Sequence, residues 1–449
     1  MNPPSPTAVA PTQDAPALDE PAASARAASL CALLALGVLG WMTNQHPTLR
    51  QVDFIGFSTR AERLWSGAAL DSDLLNTLYP VGYPALLGLG QRLSGDVLWA
   101  GKGLAVLAGA GLVGVTARWL GVGAALWALA TPMVLELGGV EGTDMPAAAL
   151  SLAALATAAR RPALSGALLG GALLCRYTAL AAAPVVIWLT PARGRLLLAL
   201  LLTTAPHWGI ALWQGRSPLP DQSMNMAIGA GGPGQAPSVA EALLRALRGA
   251  LEPWTAKLGA LGLLVGLWRR DRRALALTLW GLLHVAGLSL AFSTPRLALP
   301  ASLCAALGLG FVLRGPAFWL AAAGLFAWSA PRLAAPSPQE AQLATVEALV
   351  VGLEGPFASS TPWFTARRDG WLVESLPLRA LERDPRQLTP ERLVKRARER
   401  GLKHVVLEPG RVTASNPGLR PLLSGAKVEG LRRVRQDKGW VIYAVEPSP

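Results

Sequence analysis

Charged residues are few enough in this chain to be weighed one by one, and a handful could do chemistry. Asp53 follows soon after the first long apolar run, and Glu141-Gly-Thr-Asp144 opens a later one. Lys102, Arg176 and Arg296 sit at or just inside the ends of apolar runs. A carboxylate at a polar surface can take the proton of an attacking hydroxyl. Cations beside it can stabilise an anionic leaving group, and the planar fork of Arg suits phosphate oxygens. Asp144 has two compatible readings. It is an N-cap for a helix starting at Met145, with Pro146 in the first turn, or an acid that assists Asp53. Asp144 or Glu141 could also hold a divalent metal. Among the cations, Arg296 fits a ligand role best, since Pro295 precedes it and an apolar span follows. Arg176 divides evenly between ligand and snorkelling, and Lys102 reads as a snorkelling side chain.

Such residues need elements that hold charge at a membrane face. Lys, Arg, Asp and Glu make up 15% of the 449 residues, against about 25% in a soluble domain, while 52% are hydrophobic. The mean hydropathy is +0.37. This excludes a disordered chain and argues against an ordinary soluble enzyme. Apolar segments occur at Ala27–Met42, 97–117, 121–137, 144–159, 163–178, 179–190, 195–213, 256–269, 274–292, 298–313 and 316–330. They predict about eleven spans, several of them shorter than the ~20 residues a bilayer requires. Arg118, Arg160 with Arg161, Arg193 with Arg195, the cluster 269–273 and Arg314 lie at alternate segment ends. Those ends read as cytoplasmic, so the N-terminus is expected inside and the C-terminus in the periplasm.

The chain then divides into a disordered tail 1–25, a membrane domain 26–331 and a soluble α/β domain 332–449. Outer loops fall at 45–96 and 214–255. In the second, Gly229–Pro237 is either a lid or a plain linker. From Ser238 an amphipathic helix carries Leu243, Leu244, Leu247 and Leu251 on one face. In the C-terminal part, Thr389 and Pro390 start a helix that Gly401 stops, His404–Leu407 is a strand, and Asp437-Lys438-Gly439 marks a hairpin. Cys31, Cys175 and Cys304 lie in apolar runs and read as packing residues. His207, between Pro206 and Trp208, reads as a packed or hydrogen-bonded helix residue, and the four histidines show no zinc-binding spacing.

The net charge of +13 would suit a nucleic-acid partner if it were concentrated in one place. It is not. Residues 332–449 hold 19 Lys and Arg against 13 Asp and Glu, a net of +6, and the remainder mostly marks cytoplasmic loops. Nucleic acid is therefore excluded as a partner, and membrane lipids are expected instead.

Several motifs occur in a fixed order. The stretch Gln51–Gly67 gives an Asp and a short amphipathic helix ending in Gly, and Pro80 and Pro84 bracket Gly82-Tyr83 before an apolar helix. Glu141–Pro146, Leu173–Thr178 and Phe292–Pro300 follow. The series resembles the bacterial membrane glycosyltransferases of the GT-C superfamily, in the protein mannosyltransferase branch and its aminoarabinose- and galacturonic-acid-transferring cousins. It covers about residues 27–330 and, more loosely, the soluble tail. Phe54 stands where eukaryotic mannosyltransferases carry a second acidic residue, and Leu297 replaces an aromatic after Arg296. The resemblance implies an all-α polytopic membrane fold and a polyprenyl-phosphate-linked sugar as donor. The implied reaction is an inverting hexosyl or pentosyl transfer to a lipid, glycan or protein at the periplasmic face of the inner (cell) membrane. It assigns Asp53 and Asp144 to catalysis, and Arg296, Arg176, Lys102 and Tyr83 to substrate binding. A transporter of lipid-linked sugars or solutes is the alternative, although no internal repeat accompanies it.

Overall fold

A run of Leu and Ala behind an N-cap is sufficient to start the first membrane helix. In the computed structural model Ser24 accepts the Ala27 N–H, and the helix runs Ala25–Gln45. The structure describes residues 22–51, 53–67, 80–213, 238–289, 295–312, 316–361, 370–372 and 388–447. The disordered-tail expectation for residues 1–21, the segment Gly229–Pro237, residues 292–294 and Arg314 lie outside the described residues. Among the described residues three helices are long and apolar enough to cross a membrane, namely Ala25–Gln45, Val97–Leu120 and Arg193–Trp213. Shorter apolar helices include Asp144–Thr157, Pro162–Cys175 and Trp254–Trp268. Outward leucines such as Leu33, Leu201 and Leu261, each about 60% exposed, are what a lipid-facing bundle surface carries.

Proline and glycine decide where the apolar segments break. The expected span 121–137 divides into Val122–Ala130 and Pro132–Leu137, because the residue before a proline leaves the helical region. The segment 163–178 ends at Cys175, where Arg176 turns extended before a short 3-10 stretch Tyr177–Ala182. Glycines allow backbones to touch. A Cβ on Gly259 would stand 2.0 Å from the Ala305 carbonyl oxygen, and one on Gly308 would stand 2.1 Å from that of Gly259. Helix Trp254–Trp268 therefore meets helix Leu299–Leu307 and the 3-10 turn after it with no room for a side chain. Gly259→Leu should lower the melting temperature of the detergent-purified protein by several degrees. Gly287→Leu, which meets nothing within 4 Å, should leave it near wild type.

The amphipathic helix forms at Val239–Leu251, opened by a reciprocal capping box between Ser238 and Glu241. Its packing face is the small one. Ala246 and Ala250 are buried against Val285, Leu288, Leu297 and Ala298, whereas Leu243, Leu244 and Leu247 point outward.

Among the described residues the C-terminal part holds a five-stranded mixed sheet whose strands, in spatial order, are Gly370–Leu372, Phe357–Ser359, His404–Leu407, Trp440–Val445 and Leu431–Asp437. Side chains alternate between two cores. Val405 and Leu407 join Leu393 and Ala397 of helix Pro390–Glu399, while Val406 joins Leu343 and Val346 of helix Pro338–Leu349. The hairpin turn is Lys438-Gly439, both at positive φ, closing the Asp437–Trp440 pair as a type I′ turn does.

Candidate active site

The chain between the first membrane helix and Asp53 is fastened residue by residue. His46 terminates helix Ala25–Gln45. The side chain of Glu141, fully buried, accepts the backbone N–H of Arg50 at 2.5 Å and of Gln51 at 2.8 Å. Gly142 lies against the Gln51 side chain so closely that a Cβ there would fall 2.2 Å from Oε1. Helix Asp53–Ser66 then begins with Asp53 in its first turn. Phe54, Phe57 and Ala61, spaced for one helical face, pack on Tyr83 and Leu87 of helix Gly82–Ser94.

Two acid–base pairs follow. Asp53 is ion-paired with Arg296, with side chains 22% and 27% exposed, so this pair is partly open to the outside. Arg176 pairs with Asp144 at 2.5 Å and donates to the Thr143 hydroxyl at 2.6 Å. The second pair is more enclosed than the first. The turn at 295–298 connects them. Arg296 is in that turn, and its neighbour Leu297 lines, with Asp144 and Arg176, a cavity of ≈10 Å³. Trp280 and His284 line the same cavity. Among the described residues, Trp280 Nε1 and Asp144 Oδ2 are buried without a hydrogen-bond partner. Such a volume holds about one water molecule.

Several expectations are revised. Asp144 is not the N-cap, which is Thr143 and makes no side-chain cap bond. The Asp144 carboxylate goes to Arg176 instead. Lys102 does not snorkel. It is fully buried, donates to the His46 carbonyl at 2.9 Å and faces Glu141 at 3.2 Å. Its ammonium therefore reaches no surface. Tyr83 is also fully buried and packs edge-on against Phe57 with ring centroids 5.2 Å apart. Glu141 is spent on Lys102 and two backbone donors. Among the described residues no group of three His, Cys, Asp or Glu side chains could hold a metal.

Other polar residues near the site went unread in the sequence. Arg60 is buried seven positions after Asp53, two turns along the same helix face. His284 Nε2 donates to the Leu297 carbonyl at 2.8 Å and so anchors the turn that holds Arg296. An Arg among Phe54, Phe57 and Ala61, and a Trp and His four apart in an apolar helix, were the available signals. His207 bonds the Tyr177 hydroxyl at 3.0 Å, as a packed helix histidine should.

No family model matches the chain, and no curated protein does. Solved structures do. ArnT from Cupriavidus metallidurans bound to undecaprenyl phosphate is 15% identical, with a TM-score of 0.62 over 94% of this chain and 98% of that one. The same protein in the apo state gives 17% identity and a TM-score of 0.60, over 92% and 97%. At that identity the likeness is one of fold. That shared fold covers nearly the whole of this chain.

Proposed function

We propose that the chain is an integral membrane glycosyltransferase that takes a sugar from a polyprenyl-phosphate carrier. The observation that carries this reading is the partly open Asp53–Arg296 pair, in a fold shared with a protein that binds undecaprenyl phosphate. Residues 26–331 form the catalytic membrane domain. They work at the periplasmic face of the inner membrane, with the N-terminus inside and a periplasmic domain at 332–449.

In the resting protein Arg296 holds Asp53. A donor phosphate competes for the guanidinium, and when it takes Arg296 the carboxylate is left to accept a proton. The acceptor hydroxyl gives that proton to Asp53 as its oxygen bonds the anomeric carbon. The bond from that carbon to the phosphate oxygen breaks on the opposite face, which inverts the centre. The phosphate leaves with both electrons of that bond, and Arg296 stabilises its charge. Arg176, steered by Asp144 and Thr143, is the second cation available to it. Asp144 serves to orient Arg176. Lys102 and Tyr83 act from behind, the first by holding Glu141 and the second by packing the Asp53 helix.

The test is a proteoliposome assay with a polyprenyl-phosphate sugar labelled in the sugar. Transfer of label away from the lipid is expected. Movement of intact carrier across the bilayer, with the label still on it, would overturn the reading in favour of a transporter.

A further inference from the structure

We propose that Glu340, in the first turn of helix Pro338–Leu349, is a positioning residue for Asp53, acting through His46 and the loop that follows it. The role rests on the reading of Asp53 as the base. The contact it invokes does not.

The Glu340 carboxylate is gripped from two directions. Within its own helix it accepts the Ser337 backbone N–H at 2.7 Å, as the return half of a capping box. Across the molecule it meets His46 Nδ1 at 3.0 and 3.1 Å and the Thr48 hydroxyl at 3.4 Å. His46 Nε2 faces the Leu333 carbonyl at 2.5 Å. Both ring nitrogens thus face oxygen atoms. Burial works to raise the Glu340 carboxyl, but the Ser337 N–H and His46 outweigh it and hold the group below the usual carboxylate range.

What this grips is the approach to Asp53. The His46 carbonyl accepts from Lys102, Lys102 faces Glu141, and Glu141 accepts the N–H groups of Arg50 and Gln51. Gln51 in turn accepts from the Phe54 N–H at 3.2 Å, closing the first turn of the Asp53 helix. Residues 46–51 are therefore held from both sides, by the bundle through Glu141 and by the C-terminal part through Glu340. A helix start fixed from one side only can shift. Displacement of a reacting group by about 1 Å can cost up to roughly 100-fold in rate.

Glu340→Gln tests this in the full-length protein. A Gln keeps the capping box but offers His46 no charge. Hydrogen exchange followed by mass spectrometry is expected to quicken about tenfold in the peptide covering 46–54 and to stay unchanged in the sheet. In the transfer assay kcat is expected to fall at least tenfold, with donor Kd within error of wild type and the melting temperature lowered by no more than a few degrees, since the His46–Glu340 pair is buried but keeps its neutral hydrogen bonds. Glu340→Asp, which restores the charge, should recover part of both effects. Unchanged exchange at 46–54 would overturn the proposal whatever the activity. So would faster exchange with wild-type kcat, or an equal fall in kcat and stability. If the wild-type protein transfers no sugar while Glu340→Gln still quickens exchange, the glycosyltransferase reading fails and the contact stands.

Discussion

Asp53→Asn is expected to lower sugar transfer by about 10²–10⁴-fold while donor affinity stays within a few-fold of wild type. The magnitude is what loss of a positioned base removes. Asn fills the same volume and can still accept from Arg296 through its carbonyl, so the helix start and the turn at 295–298 keep their contact. Only basicity is lost. The structural cost is small because the pair is partly solvated, and such ion pairs contribute about 1 kcal/mol or less. The measurement is single-turnover transfer in proteoliposomes beside equilibrium binding of the carrier. A variant that transfers at the wild-type rate would remove Asp53 from the chemistry. A variant that loses donor binding and transfer together would make Asp53 part of the donor site. Arg296→Ala supplies the contrast: its donor Kd should rise, because it removes the cation that the phosphate is proposed to take.

The sequence disclosed this site unevenly. Asp53, Asp144, Arg176 and Arg296 were legible because charge is rare in such a chain, and each sits where an apolar run ends. What could not be read was their pairing. Asp53 and Arg296 are 243 positions apart, and no local pattern says that the turn at 295–298 returns to the start of the second helix. Lys102 was misread for a related reason. A Lys near a helix end usually snorkels, and only the fold reveals Glu141 and the His46 carbonyl beside it. Asp144 before Met145 and Pro146 has the look of a cap, because helix-start signals are local. A cation from the next helix displaced that role. The C-terminal elements were more legible. Thr389-Pro390, Gly401 and Lys438-Gly439 act through their own backbone angles, which tertiary packing rarely overrides. Ser337 and Glu340 have the spacing of a capping box, but nothing in the sequence points from Glu340 to His46. Those two are ordinary surface-type residues until two distant segments meet.

Lys102→Met should be the most destabilising single change near the site, and adding Glu141→Gln should reverse most of the loss. Both side chains are fully buried. Removing one partner of a buried pair leaves a charge without its counter-ion, at a cost of about 3–5 kcal/mol. The Arg50 and Gln51 N–H groups still point at Glu141, which keeps the expected loss at the lower end of that range. The double variant carries no buried charge, and the Gln amide oxygen can still accept from both N–H groups. Exchanging a buried pair for neutral groups of similar volume is often close to neutral in stability. The expected order of melting temperature in detergent is therefore Lys102→Met lowest, with the double variant near wild type. Equal stability of Lys102→Met and wild type would show that the pair carries no net weight. A double variant no better than the single would place the loss in the bond from Lys102 to the His46 carbonyl. Transfer adds a second axis. The double variant lacks that bond even when its stability returns, so the His46 end of the loop loses its link to Glu141 and keeps only its contacts to Glu340 and the Leu333 carbonyl. Recovered stability with impaired kcat would separate what the buried pair does for the fold from what it does for Asp53.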